Sequence, residues 1–249
     1  MIYKKSPEEI ASMRRGGRIV AETIARLHEA LRPGITTLEL DGIAEAAITR
    51  AGATPSFKGY RGYPAAICTS PNDVIVHGIP SPDVVLENGD IVSVDVGAYV
   101  EGLHADSAWT FAVGDVDARV AELLKVTESS LDAAVEMCAP GVRLGDVGAA
   151  VQEVAESAGF SIVREYAGHG VGRALHEEPS IPNYGPPGRR EVLAPGMALA
   201  IEPMVNLGRP ETKTLGDGWT VVTADGSLSA HFEHTVAITD EGHEILTKL

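Results

Sequence analysis

The sequence contains a duplication at an offset of 107 residues, and this repeat restricts the fold more than any other feature. The offset relates two pairs of chain-breaking dipeptides, Pro33-Gly34 with Pro140-Gly141 and Ala51-Gly52 with Ala158-Gly159. "LENGDIVSVDV" at 86–96 aligns with "LAPGMALAIEP" at 193–203 at the same offset. We therefore predict a single domain, 1–249, made of two halves, about 6–115 and 116–249, that pack about a pseudo-two-fold axis.

Each half is expected to combine helices with antiparallel strands. Ser6, Pro7 and Glu9 are typical of a helix start, with a serine N-cap, a proline at the first position and an acid at the third. Further helices are predicted over about 37–51, 118–138 and 145–158. "IVSVDVGAYVEGLHADSAWTF" at 91–111 predicts two strands that turn near Gly102. Helices on one side of such strands indicate an α+β fold.

Acidic residues interrupt the predicted strands at matched positions. Asp95 lies in a run of β-branched residues, and the 107-residue offset places it on Glu202. Alignment of "HADSAWTF" with "HFEHTVAI" places Asp106, at the expected start of the second strand, on Glu233. Carboxylates inside a sheet lose hydration and repel one another, so their charges need compensation.

A dinuclear metal centre would supply that compensation. The four carboxylates and His169, in "YAGHGVG", match the charge of two divalent cations, and two-metal hydrolases hold their ions about 3.5–4 Å apart. Oxygen ligands with one imidazole suit cobalt, manganese, iron or zinc. An aspartate in a strand also occurs at sheet edges and in solvated pleats, so this alternative stays open at this point. "GHGVG" lacks the lysine of a phosphate-binding loop.

Bulk properties exclude several classes of protein. The formal charge of −15, from 35 acidic and 20 basic residues, argues against nucleic-acid binding, which needs clustered Lys and Arg. The sequence has no apolar stretch near the roughly 20 residues needed to span a bilayer. Two cysteines form no disulfide framework, and the start "MIYKKSPEEI" is unlike a signal peptide. We expect a cytoplasmic monomer that binds neither nucleic acid nor membrane.

Five segments carry a family resemblance: "VIVHGIP", "VDVGAYVEGLHADSA", "AGHGVGRALHEEPSIPNYG", "AIEPMVN" and "HFEHTVAIT". In order and spacing they resemble type I methionine aminopeptidases of bacteria, from about Ser6 to the C-terminus. The resemblance implies the α+β pita-bread (creatinase/aminopeptidase-like) fold, in which helices cover a curved antiparallel sheet of two pseudo-symmetric halves. It also implies removal of the N-terminal methionine from nascent proteins whose second residue is small and uncharged. The ribosome and the peptide deformylase pathway would then be neighbouring partners.

The resemblance also implies a role for each candidate ligand. Asp95 would bind one ion, Asp106 and Glu233 would bridge both, and His169 and Glu202 would complete the other site. Glu202 would in addition accept a proton from the attacking water.

Other positions match the family's substrate-contacting residues. His77 and His176 would be catalytic together with Glu202, since they contact the peptide and stabilise the tetrahedral intermediate. The pocket for the methionine side chain would be lined by Tyr60, Tyr63, Cys68 and Trp219. Leu175 stands in its wall where many relatives carry an aromatic residue. His231 and Ala105 replace a common glutamine and a common glycine, so selectivity and inhibitor profile are open.

Two other functions compete with this interpretation. A Xaa-Pro aminopeptidase or dipeptidase shares the architecture, but such relatives usually carry a sizeable N-terminal domain before the catalytic one. Pita-bread folds also serve as non-catalytic modules that bind peptides or histones. Those modules have generally lost metal ligands, whereas all five candidates are present in this sequence.

Overall fold

The helices begin and end close to the predicted residues. A computed structural model describes residues 1–248, so Leu249 of the predicted second half lies outside the described residues. The α-helices are α1 (Pro7–Ala30), α2 (Thr37–Arg50), α3 (Ala118–Glu136) and α4 (Leu144–Ser157). The Ser6 hydroxyl accepts from the Glu9 N–H and the Glu9 carboxylate accepts from the Ser6 N–H, so α1 begins with the predicted capping box. Gly52 and Gly159 follow α2 and α4 with φ of 80° and 77°, which glycine adopts without strain.

The rest of the regular structure consists of short strands and two long ones. In the first half the strands are β1 (Thr54–Pro55), β2 (Cys68–Pro71), β3 (Val74–Val76), β4 (Ile91–Val100) and β5 (Leu103–Ala112). In the second half they are β6 (Ser161–Ile162), β7 (Gly168–Gly170), β8 (Glu177–Ile181), β9 (Ala198–Ile201), β10 (Met204–Asn206), β11 (Thr212–Thr214), β12 (Val221–Thr223), β13 (Ser229–His231), β14 (His234–Ile238) and β15 (His243–Ile245). A 3₁₀ turn covers Tyr60–Gly62.

The strands form one main antiparallel sheet in each half. The first has the order β1-β4-β2, with β5 also paired to β4, and the second has the order β15-β14-β9-β7-β8. Smaller sheets, β13-β10-β6 and β11-β12-β3, complete the curved surface. The β4–β5 hairpin turns at Glu101-Gly102, where both φ angles are positive, as a tight two-residue turn requires. Strand β5 begins at Leu103, so Asp106 lies inside the strand and not at its start as predicted.

Strand pairings recur at fixed offsets in the two predicted halves, and they correct one of the predicted equivalences. Thr36 bridges Val85 in the first half, and the corresponding bridge 107 residues later joins Arg143 to Val192. The strands that pair with the repeated ones are related by a second offset, of 125 residues. Gly97 pairs with Asp106, and Met204, its equivalent in the second half, pairs with His231, which lies 125 residues after Asp106.

Asp106 therefore matches His231 in the repeat, and the predicted match of Asp106 with Glu233 was wrong. The alignment of "HADSAWTF" with "HFEHTVAI" was two residues out of register. Because side chains alternate along a strand, a two-residue error leaves both acids facing the same side of the sheet. The separate equivalence of Asp95 with Glu202 agrees with the register of the neighbouring residues, since Val94 pairs with Trp109 and Ile201 pairs with His234.

Helices cover one face of each half. In the first half, α1, α2 and β4 contribute to one buried core, which includes Leu27, Leu40 and Val94. In the second half, α3, α4 and β9 contribute to another, which includes Leu131, Val147 and Leu199. Trp109 of β5 contacts the cores of both halves. That the two halves form a single domain stays a prediction. None of the helices in residues 1–248 combines the length and the apolarity needed to cross a membrane.

Candidate metal centre and substrate cavity

One cavity brings together all twelve residues that the sequence predicts for the site. Its lining residues are Phe57, Tyr60, Arg61, Tyr63, Cys68, His77, Asp95, Asp106, His169, Leu175, His176, Glu202, Trp219 and Glu233. They come from both halves of the chain, and two of them, Phe57 and Arg61, were not predicted. The juxtaposition follows from the fold, since these residues are far apart in the sequence.

The candidate metal ligands lie on central strands or directly beside them. Asp95 is in β4, Asp106 in the adjacent β5 and His169 in β7. Glu202 directly follows β9, and Glu233 lies in the short interval between β13 and β14. These strands fix the backbone on which the ligands are mounted, so the side chains converge with little freedom.

Distances between the side chains fit a metal site. One potential ligand atom from each of Asp106, His169 and Glu233 lies within 4.8 Å of the other two. His169 Nε2 is 3.4 Å from Glu202 Oε1. The His169 Nδ1 atom lies 2.9 Å from the Gly170 carbonyl oxygen. An Nδ1–H that donates to this carbonyl leaves the Nε2 lone pair free to ligate a metal, the arrangement usual for metal-binding histidines.

Unpartnered oxygen atoms indicate that a cation fits this centre. Asp95 Oδ1, Asp106 Oδ1 and Glu233 Oε1 are buried and accept no hydrogen bond from any residue in 1–248. A buried carboxylate without a partner is strongly destabilising, whereas a divalent cation would satisfy several such oxygens at once. The donor set is therefore matched to a hard or borderline divalent metal ion.

Burial and mutual repulsion shift the ionisation of these acids. Burial raises the pKa of Asp95 and that of Glu202 to about 7. Burial and neighbouring carboxylates raise the pKa of Asp106 and that of Glu233 well above the ordinary range. In the protein alone these groups resist ionisation, and a bound cation would oppose that shift by favouring the charged forms.

Two neutral imidazoles border the centre. Burial lowers the pKa of His77 to about 4 and that of His176 to about 3, so each is uncharged at pH 7 and keeps one N–H to donate. The His176 ring lies between two others: it is tilted against His169 at a centroid distance of 4.1 Å and stacked on Tyr60 at 5.3 Å. His77 meets the Trp219 ring edge-on at 6.2 Å.

An apolar pocket adjoins the acidic floor. Phe57, Tyr63, Cys68 and Leu175 form a buried cluster against which Tyr60 and Trp219 pack. The Tyr63 hydroxyl donates to the Gly78 carbonyl at 2.9 Å, which fixes the ring in the wall. Burial raises the pKa of the Cys68 thiol, so it presents an uncharged, polarisable surface. Cys68 pairs directly with Asp95 across the β2–β4 ladder, and this register places the pocket beside the candidate metal centre.

Sequence reasoning connected His231 with selectivity but did not place it beside the candidate metal ligands. Its side chain is 2% exposed, its Nε2 has no hydrogen-bond partner among residues 1–248, and the same atom is 3.6 Å from Glu202 Oε2. The correct register, which matches His231 with Asp106, would have identified it. No comparable local signal singles out Phe57 or Arg61.

The fold and this acid-rich centre define a metallopeptidase. Residues 11–240 match the model of metallopeptidase family M24, and the chain belongs to that family. Relatives that match over nearly their full length include bacterial methionine aminopeptidases. The chain is 53% identical to methionine aminopeptidase 1 of Bacillus subtilis over all of both chains. It is 45% identical to the Escherichia coli methionine aminopeptidase, over 98% of this chain and 92% of the relative.

Solved structures agree with the predicted pita-bread fold. The methionine aminopeptidase of Thermotoga maritima superposes with a TM-score of 0.99, at 49% identity over all of both chains. The prolidase of Pyrococcus furiosus superposes with a TM-score of 0.80, at 25% identity, over 99% of this chain and 65% of the prolidase. The fold is thus shared with the competing Xaa-Pro class, but identity over the full length favours the methionine aminopeptidases.

Proposed function

We propose that this protein is a metal-dependent methionine aminopeptidase that removes the N-terminal methionine when the second residue is small and uncharged. The observation that carries the proposal is the single cavity in which a buried acid cluster adjoins an apolar pocket. Full-length identity to methionine aminopeptidases supports the same assignment. Cleavage is hydrolysis of the peptide bond after the first residue.

We expect two divalent ions per chain, of cobalt, manganese, iron or zinc. The residues that would hold them are Asp95, Asp106, His169, Glu202 and Glu233. When bound, such ions supply Lewis acidity and an activated water molecule. The unpartnered oxygens of Asp95, Asp106 and Glu233 support the assignment of those residues as ligands.

In this proposal the protein binds the first residue of the substrate by its α-amine and by its side chain. The positively charged α-amine is attracted to the carboxylates of the cavity floor, so an acetylated N-terminus should bind poorly. The unbranched thioether side chain fits the apolar pocket lined by Tyr60, Tyr63, Cys68, Leu175 and Trp219, in which a flexible, polarisable group makes good contacts. A charged first residue would lose its hydration in the same pocket.

Proton transfer and charge stabilisation fall to three side chains. Glu202 is the proposed proton acceptor, because its carboxylate lies in the cavity floor, with Oε1 3.4 Å from His169 Nε2. His176 is neutral, because burial holds its pKa at about 3, and its N–H can donate to the oxygen that gains negative charge in the transition state. His77, at the edge of Trp219, is positioned to contact the peptide and to orient the bond that breaks.

Nascent polypeptides are the proposed substrates, with the ribosome and the peptide deformylase pathway as functional neighbours. A cytoplasmic location and a monomeric state belong to the same proposal. The chain would act without binding nucleic acid itself, in keeping with its charge of −15.

A peptide panel on metal-loaded protein tests the function. Met-Gly, Met-Ala and Met-Ser peptides should be cleaved, whereas Met-Leu and acetyl-Met-Ala peptides should resist. Leu-Ala should be cleaved slowly, since a branched side chain of similar volume typically costs about 1–3 kcal/mol in such a pocket. Exhaustive chelation should abolish cleavage, and added divalent metal should restore it.

The same panel separates the competing functions. Preferential cleavage of Xaa-Pro bonds, with indifference to the first residue, would assign the protein to the prolidase-like class. Binding of peptides without cleavage under any metal would identify a non-catalytic module.

A further inference from the structure

The charged groups of the cavity are distributed unevenly between its floor and its mouth. The floor carries the carboxylates of Asp95, Asp106, Glu202 and Glu233. Arg61 is exposed, and among residues 1–248 it is the only lysine or arginine that lines the cavity. A peptide whose α-amine is bound at the acidic floor must therefore pass the positive charge of Arg61 where it emerges from the cavity.

The local backbone holds Arg61 in this place. Gly59, Arg61 and Gly62 all have left-handed backbone angles, with φ of 86°, 48° and 88°. The Gly59 N–H donates to the Tyr63 carbonyl at 2.8 Å, and the Tyr63 N–H donates to the Tyr60 carbonyl at 2.9 Å. A left-handed backbone is unfavourable for arginine, so the surrounding hydrogen bonds must hold it, and they set the direction in which the side chain leaves the backbone.

The Arg61 guanidinium is available to a ligand. Its Cζ lies 5.3 Å from the centre of the Tyr60 ring, which presents an aromatic face to the cation. No carboxylate in residues 1–248 forms an ion pair with Arg61. The neighbouring Lys58, by contrast, is paired with Glu45 at 2.6 Å.

A row of neighbouring side chains leads from the floor to Arg61 and sets an upper limit on the distance between them. Successive distances of 4.1, 5.3 and 5.3 Å lead from His169 to His176, then to Tyr60 and then to Arg61 Cζ. An extended peptide advances about 3.3–3.6 Å per residue. If the first residue lies beside His169, the backbone of the fourth residue lies about 10–11 Å further along the cavity. An aspartate or glutamate side chain at the third or fourth residue then spans the remaining distance to the guanidinium.

We propose that Arg61 is a specificity-determining residue that binds an acidic side chain at the third or fourth position of the substrate. The preferred substrates would then be chains that begin with methionine and a small residue and continue with Asp or Glu. This inference rests on the proposed aminopeptidase function and adds a substrate preference to it. The guanidinium suits the role, because its planar fork can donate two hydrogen bonds to one carboxylate.

The expected preference is modest and electrostatic. An exposed ion pair of this kind changes binding by about two- to five-fold. Because the contact is remote from the reacting bond, it should be equal in the ground state and the transition state, and should appear in KM with kcat unchanged. The preference should also fall as the salt concentration rises.

Tetrapeptides on metal-loaded enzyme test this inference. We would compare Met-Ala-Xaa-Ala and Met-Ala-Ala-Xaa, with Glu, Gln or Lys at Xaa, on the wild type and on Arg61→Gln and Arg61→Glu. The wild type should rank Glu above Gln above Lys in kcat/KM at one of the two positions. Arg61→Gln should flatten the ranking and Arg61→Glu should invert it. Lys125→Glu, on the exposed face of α3, is the control, since it changes the net charge equally and lies outside the cavity.

Failure of this inference is distinguishable from failure of the proposed function. An unchanged ranking in Arg61→Glu, with Met-Ala still cleaved, would overturn the role of Arg61 alone. An equal change in Lys125→Glu would also overturn it, since the effect would then come from net charge. Absence of Met-Ala cleavage by the wild type would instead overturn the aminopeptidase assignment. Thermal melts and metal content of each variant establish that fold and metal binding are retained.

Discussion

The Thr235 hydroxyl makes two hydrogen bonds with the backbone of Asp106: it accepts from the N–H at 2.9 Å and donates to the carbonyl at 2.7 Å. The same contact occurs a second time, but there the threonine comes from the first half and the backbone groups come from the second. Thr110 accepts from the His231 N–H and donates to the His231 carbonyl, both at 2.8 Å. Strands β5, β13 and β14 are thus joined across the pseudo-two-fold axis by threonine side chains. One of the two contacts fixes a candidate metal ligand.

Replacing Thr235 with valine should destabilise the protein and weaken metal binding. The change keeps the volume but leaves the N–H and the carbonyl of Asp106 buried without partners, and each such group costs about 1–3 kcal/mol. Urea unfolding of metal-free protein measures the first effect, and calorimetric titration with a divalent metal measures the second.

Thr110→Val is the matched control, since it removes the corresponding contact to His231. It should lower the free energy of unfolding by a similar amount. It should reduce metal affinity less, because His231 is not among the proposed ligands. Equal loss of metal affinity in both variants would contradict a specific role for Thr235 in positioning Asp106.

His176→Ala should lower kcat by about 10²–10³, the usual effect of removing one donor to a developing oxyanion. The metals should remain bound and the fold should be retained, because His176 is not a proposed ligand. Steady-state kinetics on a Met-Ala peptide and elemental analysis of the purified variant check both statements.

His28→Ala serves as the control, since this exposed residue of α1 stacks on Phe111 and is absent from the cavity lining. Glu202→Gln should cost more than His176→Ala, because it removes both a proposed ligand and the proposed proton acceptor. A His176→Ala enzyme with normal kcat would show that this histidine has another role.

Lys5→Met should destabilise the protein by about 3–5 kcal/mol, because it leaves the Glu177 carboxylate buried without its partner. Lys5 Nζ is 2.7 Å from Glu177 Oε2, and the two side chains are 2% and 6% exposed. Glu177 also accepts from the Ala174 N–H at 3.0 Å, so the ion pair holds the segment that carries Leu175 and His176. We therefore expect kcat to fall as well.

Arg14→Met is the control for that variant, since Arg14 and Glu244 form a largely exposed ion pair that should contribute about 0–1 kcal/mol. A double variant, Lys5→Met with Glu177→Gln, should recover part of the lost stability by removing the unpaired charge. Denaturant unfolding of the set would contradict the prediction if Lys5→Met and Arg14→Met were equally stable.

Asp41→Asn should change how stability depends on pH. Asp41 is 8% exposed, and its Oδ1 accepts from the N–H groups of Ala66 and Ile67, just before Cys68. Burial raises the pKa of this carboxyl above its value in the unfolded chain. Its contribution to stability is therefore fully present below the unfolded pKa and is lost as the pH rises through the folded pKa.

The wild type should consequently gain stability relative to Asp41→Asn between pH 7 and pH 4. Urea midpoints of metal-free proteins at the two pH values measure this difference, and all other titrating groups cancel in the comparison. A pH-independent difference between the two proteins would show that Asp41 is not titrating as its burial requires.

Local sequence signals determined the helices and part of the site. The capping box at Ser6 and the glycines after α2 and α4 act within a few residues, so they can be interpreted without knowledge of the fold. The equivalence of Asp95 and Glu202 was also accessible, because the offset of 107 residues holds through the strands that carry them. The family resemblance supplied the remaining members of the predicted site.

Only the tertiary structure decided how the partner strands align. Letter similarity suggested that Asp106 matches Glu233, but the pairing of backbone groups matches it with His231. Strand register depends on long-range hydrogen bonds, such as those of Thr110 and Thr235, and no local pattern encodes them. For the same reason Arg61 at the cavity mouth could not be predicted: its position depends on a left-handed turn and on a ring stack between segments more than a hundred residues apart.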